Sequence, residues 1–96
     1  MGTRQKKAAV LRLRLYIAGN APNSVRAIAN LKAFCANTLF DGHEIEIVDL
    51  LKDPSRALAD GIVVTPTLLK LSPAPALRVI GNLSDTSKLM HSLGAG

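Results

Sequence analysis

Residues 9–18, AVLRLRLYIA, alternate between apolar and polar positions. Leu11, Leu13, Leu15 and Ile17 share one face and Arg12, Arg14 and Tyr16 the other. That pattern predicts a strand with a well-covered face and a wetter one. The period then changes. After the turn sequence GNAPNS, Val25, Ile28, Leu31, Cys35 and Leu39 recur at helical spacing, predicting a helix through residue 39. Pro22 suits its first turn, Asn20, Asn23 or Ser24 can cap it, and Asp41-Gly42 ends it. HEIEIVDLL alternates again, with Ile45 and Ile47 on one face and Glu44 and Glu46 on the other, which predicts a second strand over 44–49. If the two strands are parallel neighbours, Arg12 and Arg14 meet Glu44 and Glu46 on the wet face.

Asp53-Pro54 opens a short, weakly amphipathic helical segment, SRALADG. Thr65-Pro66-Thr67 then precedes a third strand near 67–71, and Ser72-Pro73-Ala74-Pro75 separates it from a fourth near 76–81. So short a link implies an antiparallel hairpin. Gly81 to Asp85 reads as a turn, with Ser84 or Asp85 capping a last helix over 85–93 whose apolar face is Leu89, Met90 and Leu93. The order is βαβαββα. A helix joins the first two strands, so they are expected to be parallel with a right-handed crossover. The predicted class is α/β: a mixed four-stranded sheet with helices on its faces, in a thioredoxin-like arrangement, over a single domain spanning residues 1–96.

Composition narrows this picture. With 96 residues, 48% of them hydrophobic, the chain can build one core. Its aromatic residues are only Tyr16, Phe34 and Phe40, so that core is aliphatic. The net charge is +5, much of it from Arg4, Lys6, Lys7, Arg12 and Arg14. No aromatic residues interleave these charges for base stacking, so residues 1–8 read as a frayed, solvated terminus and no nucleic-acid partner is expected. No apolar stretch approaches the roughly 20 residues of a membrane span. Arg12 and Arg14 interrupt what would be a signal-peptide core, so a cytoplasmic location is expected.

The chemistry turns on Pro66. In thioredoxin-like proteins a Thr-Pro or similar dipeptide stands before such a strand, and its cis proline faces a reactive cysteine pair after the first strand. A helix start there lowers a thiol pKa. The matching place here is Asn20-Ala21-Pro22-Asn23, with asparagine at both cysteine positions. Cys35 is the only cysteine and sits on the buried face of the helix, where a neutral thiol is expected. Thiol–disulfide exchange is therefore not expected. His43 and His91 are isolated, Glu44 and Glu46 belong to a strand face, and Ser24 and Ser84 read as caps. No glycine-rich loop precedes a helix in the phosphate-binding manner. No catalytic residue, metal or cofactor is predicted.

The runs LRLYIAGNAPNSVRAIANLK, EIVDLLKDPSRALADGIVVTPTLLKL and PALRVIGNLSD resemble the KaiB family of circadian-clock proteins from about Val10 to about Lys88. The most specific stretches are Ala18 to Ala27, Leu51-Lys52-x-Pro54, Thr65 to Leu68 and Ile80-Gly81-x-Leu83-Ser84. The resemblance implies a non-enzymatic timing regulator that docks on a KaiC-type ATPase and, in cyanobacteria, captures KaiA. It also implies fold switching between the thioredoxin-like state and a tetramer-state fold of order βαββααβ, so a homo-oligomer, dimer or tetramer, is a further expectation. By matched position the partner contacts are Arg26, Lys70 and Arg78. Pro66, Pro73, Pro75 and Gly81 are scaffold or fold-switch positions, with the slow step ascribed to the prolines. Gly61 stands where the cyanobacterial proteins carry lysine, Leu77 where they carry a second arginine, and Ser92 to Gly96 depart from their last helix. These departures leave the thioredoxin-like state accessible. A thioredoxin-like sensor module, as found fused to clock histidine kinases, is a rival reading that the short, linker-free chain disfavours. A redox enzyme is a third reading, disfavoured by Asn20 and Asn23.

Overall fold

The computed structural model of the chain describes residues 10–36 and 42–93. The basic head, the helix end predicted near residue 39 and the tail from Gly94 lie outside the described residues. Among the described residues seven elements follow in chain order: β1 (Leu11–Ile17), α1 (Pro22–Ala36), β2 (His43–Asp49), α2 (Ser55–Asp60), β3 (Thr67–Ser72), β4 (Leu77–Ile80) and α3 (Thr86–Leu93). This is the predicted βαβαββα order, not the alternative βαββααβ. The sheet runs β2-β1-β3-β4, with β1 parallel to β2 and antiparallel to β3, and β3 antiparallel to β4.

The alternation in β1 divides the protein into two layers around the sheet. Leu11, Leu13, Leu15 and Ile17 pack with Ala27, Leu31 and Cys35 of α1, with Leu68 and Val79, and with Leu83, Leu89 and Leu93. This aliphatic cluster is the main core. Helical spacing selects its contributors, with two adjustments. Val25 is half exposed, and Ser24 is buried in its place because its Oγ accepts the Ala18 N–H at 3.1 Å. In α3, Leu89 and Leu93 form a narrow i, i+4 stripe that leaves Met90 42% exposed.

The opposite face has a second, smaller cluster. Tyr16, Val48 and Ile62 are buried there, with Leu50, Ala57 and Leu69 packed against them. Tyr16, assigned from its pattern to the wet face, is fully buried because α2 and Ile62 cover that half of the sheet. The other half stays open. There the parallel register sets Arg12 beside Glu44 and Arg14 beside Glu46, as expected, with Nε–Oε1 distances of 3.0 and 2.6 Å. Both partners of the Arg12–Glu44 pair are more than half exposed, so that pair adds at most about 1 kcal/mol.

The turns are set by polar side chains. Neither Asn20 nor Asn23 caps α1, and Ser24 instead ties the helix back to the turn. Asp49 Oδ1 accepts the Gly19 and Leu51 N–H groups, each at 3.0 Å. Gly19 has a φ of +54°, a backbone conformation that favours glycine, and the exposed Leu51 side chain packs over it, its Cδ1 2.8 Å from where a Cβ would stand. Asp85 caps α3 as predicted, accepting the Lys88 N–H at 3.0 Å. Ser24→Ala is expected to remove the hydrogen bond of the half-buried Ala18 N–H and cost about 0.5–1.5 kcal/mol. Thermal denaturation followed by circular dichroism would read this as a lower melting temperature, by about 4–8 °C per kcal/mol.

Candidate functional site

The β1–α1 turn and the loop before β3 lie at one end of the sheet. The Thr65–Pro66 bond is cis, as the thioredoxin-like arrangement implies, and so are Ser72–Pro73 and Ala74–Pro75. Pro66 O accepts the Gly81 N–H at 3.0 Å, and Thr67 Oγ1 donates to Val64 O at 2.7 Å. Pro66 and Gly81 thus brace the end of the hairpin. Ahead of this brace the chain displays apolar side chains to solvent. Leu58 on α2 is 91% exposed and Val63 89%, with Leu51, Val64 and Ile80 also exposed. Exposed apolar side chains gathered in one stretch beside a braced loop suit protein contact better than catalysis.

Below this rim lies a polar corner at the end of α2. Gly61 adopts a left-handed conformation (φ +67°), its N–H reaching Leu58 O and the Ile62 N–H reaching Ala57 O at 2.8 Å. This double closure satisfies the last carbonyls of the helix, and Ile62 packs back beside Ala57. Arg78 of β4 grips the same corner, donating to Gly61 O at 2.9 Å and Asp60 O at 3.0 Å. Asp60 Oδ2 accepts the Tyr16 hydroxyl at 2.5 Å and Arg56 Nε at 3.3 Å. Arg56 also approaches Glu46 Oε2 at 3.6 Å, and Arg14 lies between Glu46 and Tyr16.

These contacts set the acid–base behaviour of the corner. The Tyr16 hydroxyl bond, then Arg56, holds the Asp60 carboxyl below its ordinary value. The Arg14 bond does the same for Glu46. Burial, and then the bond to Asp60, pushes Tyr16 up. Two depressed carboxyls contribute stability that is present above the ordinary carboxyl range, near pH 4, and is lost as pH falls. A raised tyrosine contributes stability that is present below about pH 10 and is lost above it. The urea midpoint is therefore expected to be flat from about pH 5.5 to 8 and to fall on either side, the buried Cys35 thiol, also pushed up by burial, sharing in the alkaline fall. That alkaline fall should be smaller in Tyr16→Phe.

The three basic residues singled out from the sequence do not converge. Arg26 is exposed on α1, its guanidinium 3.4 Å from Asn23 Oδ1. Arg78 lies on the α2 side of the sheet, engaged by the corner. Lys70 is only 3% exposed and shares the main-core side with Leu68, so it is not offered to a partner in this conformation. The corner itself, Tyr16, Arg56 and Asp60, went unnoticed in the sequence, since only the position of α2 brings these residues together.

Asn23 lies in the first turn of α1 and Asn20 in the turn that precedes it, and Cys35 is buried, its thiol pushed up by that burial. Among the described residues no group of three His, Cys, Asp or Glu side chains is placed to hold a metal ion. Two open clefts, of about 210 Å³ beside Gly81 to Asp85 and about 250 Å³ beside Arg12, Glu44 and Leu71, are smaller than the ~300–1,000 Å³ of ordinary small-ligand pockets.

Fold and site together define a thioredoxin-like scaffold without the reactive cysteine pair. Solved structures agree on the fold. The N-terminal domain of SasA from Synechococcus elongatus superposes with a TM-score of 0.72 at 22% identity, over 95% of this chain and 86% of that one. Mitochondrial thioredoxin 3 from Saccharomyces cerevisiae gives 0.68 at 11% identity, over 93% of this chain and 79% of that one. The KaiB domain model matches residues 14–95. Circadian clock protein KaiB3 of Synechocystis sp. is 47% identical over 81 residues, 84% of this chain and 79% of that protein. The circadian clock oscillator protein KaiB of Prochlorococcus marinus subsp. pastoris is 44% identical over 81 residues, 84% of this chain and 76% of that protein. The chain belongs to the KaiB family.

Proposed function

We propose that this protein is a non-enzymatic clock or timing regulator that docks on a KaiC-type ATPase through the rim at the Pro66 end of the sheet. The observation that carries the reading is family membership across residues 14–95. The physical setting agrees with it. Asparagines stand where a redox scaffold needs cysteines, and apolar side chains stand exposed where a binding scaffold needs them. Leu51, Leu58, Val63 and Val64 supply the apolar contact. Arg26 supplies an exposed cation for a charge-assisted pair with an acidic group on the ring. Arg78 shapes the corner behind the rim, and its contact role passes through that corner. Lys70 becomes a contact only in a conformation that uncovers β3.

Such a conformation belongs to the same proposal. A βαββααβ state, assembled as a dimer or tetramer, exposes or repartners residues of the second half of the chain, with Pro66, Pro73, Pro75 and Gly81 at the joints. Two packings of one sequence interconvert when they differ by only a few kcal/mol. The working location is the cytoplasm, and a KaiA-like protein is a further partner only where the host has one. The redox alternative predicts turnover of insulin or glutathione disulfide. None is expected above the rate of buffer, and turnover that disappears in Cys35→Ser would overturn the binding reading.

The partner is tested by a pull-down from host lysate with this protein as bait, in ATP and then in ADP, read by mass spectrometry. Recovery of a KaiC-type ATPase with one nucleotide in excess over the other is the expected result. Its absence in both nucleotides contradicts the proposal.

A further inference from the structure

We infer that α2 is a polar-latched flap that opens as a unit while the rest of the fold stays intact, and that Tyr16 and Asp60 are the positioning residues that keep it shut. The first ground is what α2 lacks. None of its six residues is buried, and a helix this short has no stability of its own. Its apolar purchase on the sheet is limited to half-buried Ala57 and to Ile62 just beyond it. The second ground is what holds it. The polar ties reach three strands: Tyr16 of β1 to the Asp60 carboxylate, Glu46 of β2 to Arg56, and Arg78 of β4 to the Asp60 and Gly61 carbonyls. The groups facing Asp60 are thus Arg14 and Tyr16 from β1 and Arg56 from α2 itself, with Arg78 at the adjoining backbone.

The third ground is separability. Opening α2 dissolves only the small cluster of Tyr16, Val48 and Ile62. The main core of β1, α1, β3, β4 and α3 lies on the other side of the sheet and is untouched. Local openings of this kind follow units with few buried apolar contacts and many exposed polar ones. The consequence rests on the proposed docking function: Leu58 rides on α2 and Val63 and Val64 follow it directly, so the latch sets whether the rim is presented in one arrangement. The latch is a property of the free protein, so it can be measured without any partner.

Native-state hydrogen exchange of the whole chain at pH 7 tests it, with rates corrected for intrinsic exchange. The amides of Leu58 to Ile62 are expected to exchange at least tenfold faster than those of β1 and α1, and faster again in 0.5 M salt, which screens the ion pairs. Tyr16→Phe keeps the ring in the cluster and removes only the hydroxyl. It is expected to speed α2 exchange roughly tenfold and leave the α1 and β1 amides unchanged. Asp60→Asn should do the same. The inference is overturned if α2 exchanges at the rate of the core, or if both variants speed α1 and β1 by the same factor as α2. Loss of ATPase binding with the latch intact would instead sink the docking reading and leave the flap standing.

Discussion

Leu58→Glu combined with Val63→Glu is expected to weaken binding to a KaiC-type ATPase at least 30-fold while leaving the fold intact. Both side chains are about nine-tenths exposed, so neither contributes appreciably to the core. Exposed substitutions of this kind change stability by within about 0.5 kcal/mol. In the complex the balance reverses. A side chain that anchors an interface costs about 2 kcal/mol or more when it is lost, and that alone is about 30-fold in affinity. Two buried, unpaired carboxylates add a desolvation cost to the lost contact. Met90→Glu is the control. Met90 is also partly exposed, but on α3, across the sheet from α2, and its replacement should change affinity less than about threefold. Titration calorimetry against the purified ATPase reads both, with circular dichroism to establish folding.

Leu15→Ala carries the largest expected cost to the fold. Leu15 is fully buried in the middle of β1, flanked by Ile47 in β2 and Leu68 in β3. The substitution removes apolar contact and leaves a void in a core that has few aromatic side chains to collapse into it. A loss of about 2–5 kcal/mol is expected. Against a total of ~5–15 kcal/mol for an ordinary domain, that brings the chain close to its unfolding threshold. Urea denaturation should show a lower midpoint with an unchanged slope. Leu58→Ala, in contrast, should leave the midpoint where it was, because Leu58 shields nothing. A large effect at Leu58 in the free protein would mean that the rim is already occupied, by this chain or by a second copy.

Most of the architecture was legible because the relevant signals are local. The period of two in β1 and β2 comes from the pleat, and the period near 3.6 in α1 comes from its single covered side. The parallel pairing of Arg12 with Glu44 and Arg14 with Glu46 followed from the same alternation once a helix was seen to join the strands. The failures also have physical causes. Tyr16 was placed on the wet face because alternation assigns a side of the sheet, not what covers it. Only the position of α2, six residues with no buried side chain, decides that half of the face is dry. Val25 looked like core and Ser24 like a cap. The structure exchanges them because the hydroxyl of Ser24 is drawn inward by the Ala18 N–H.

The site was less legible than the fold. The family resemblance makes Arg78 a partner contact, and in the free protein its guanidinium is engaged by two carbonyls that no sequence pattern places beside it. Lys70 was read on a strand, correctly, but its side of the strand is the side of Leu68 and the main core. Gly61 stands out in the sequence only as a departure from a family lysine. In the structure its left-handed conformation closes α2, turns Ile62 into the small cluster and leads Val63 and Val64 to the rim. In each case the decisive contact is long-range, between elements whose relative placement is fixed only once the sheet is assembled.

The most direct test of the central claim is the affinity of the purified protein for the purified KaiC-type ATPase ring, measured by biolayer interferometry in ATP and in ADP. The account predicts saturable binding that depends on the nucleotide and is lost in the Leu58→Glu, Val63→Glu variant. Binding that is absent in both nucleotides, or that survives those substitutions unchanged, would contradict it.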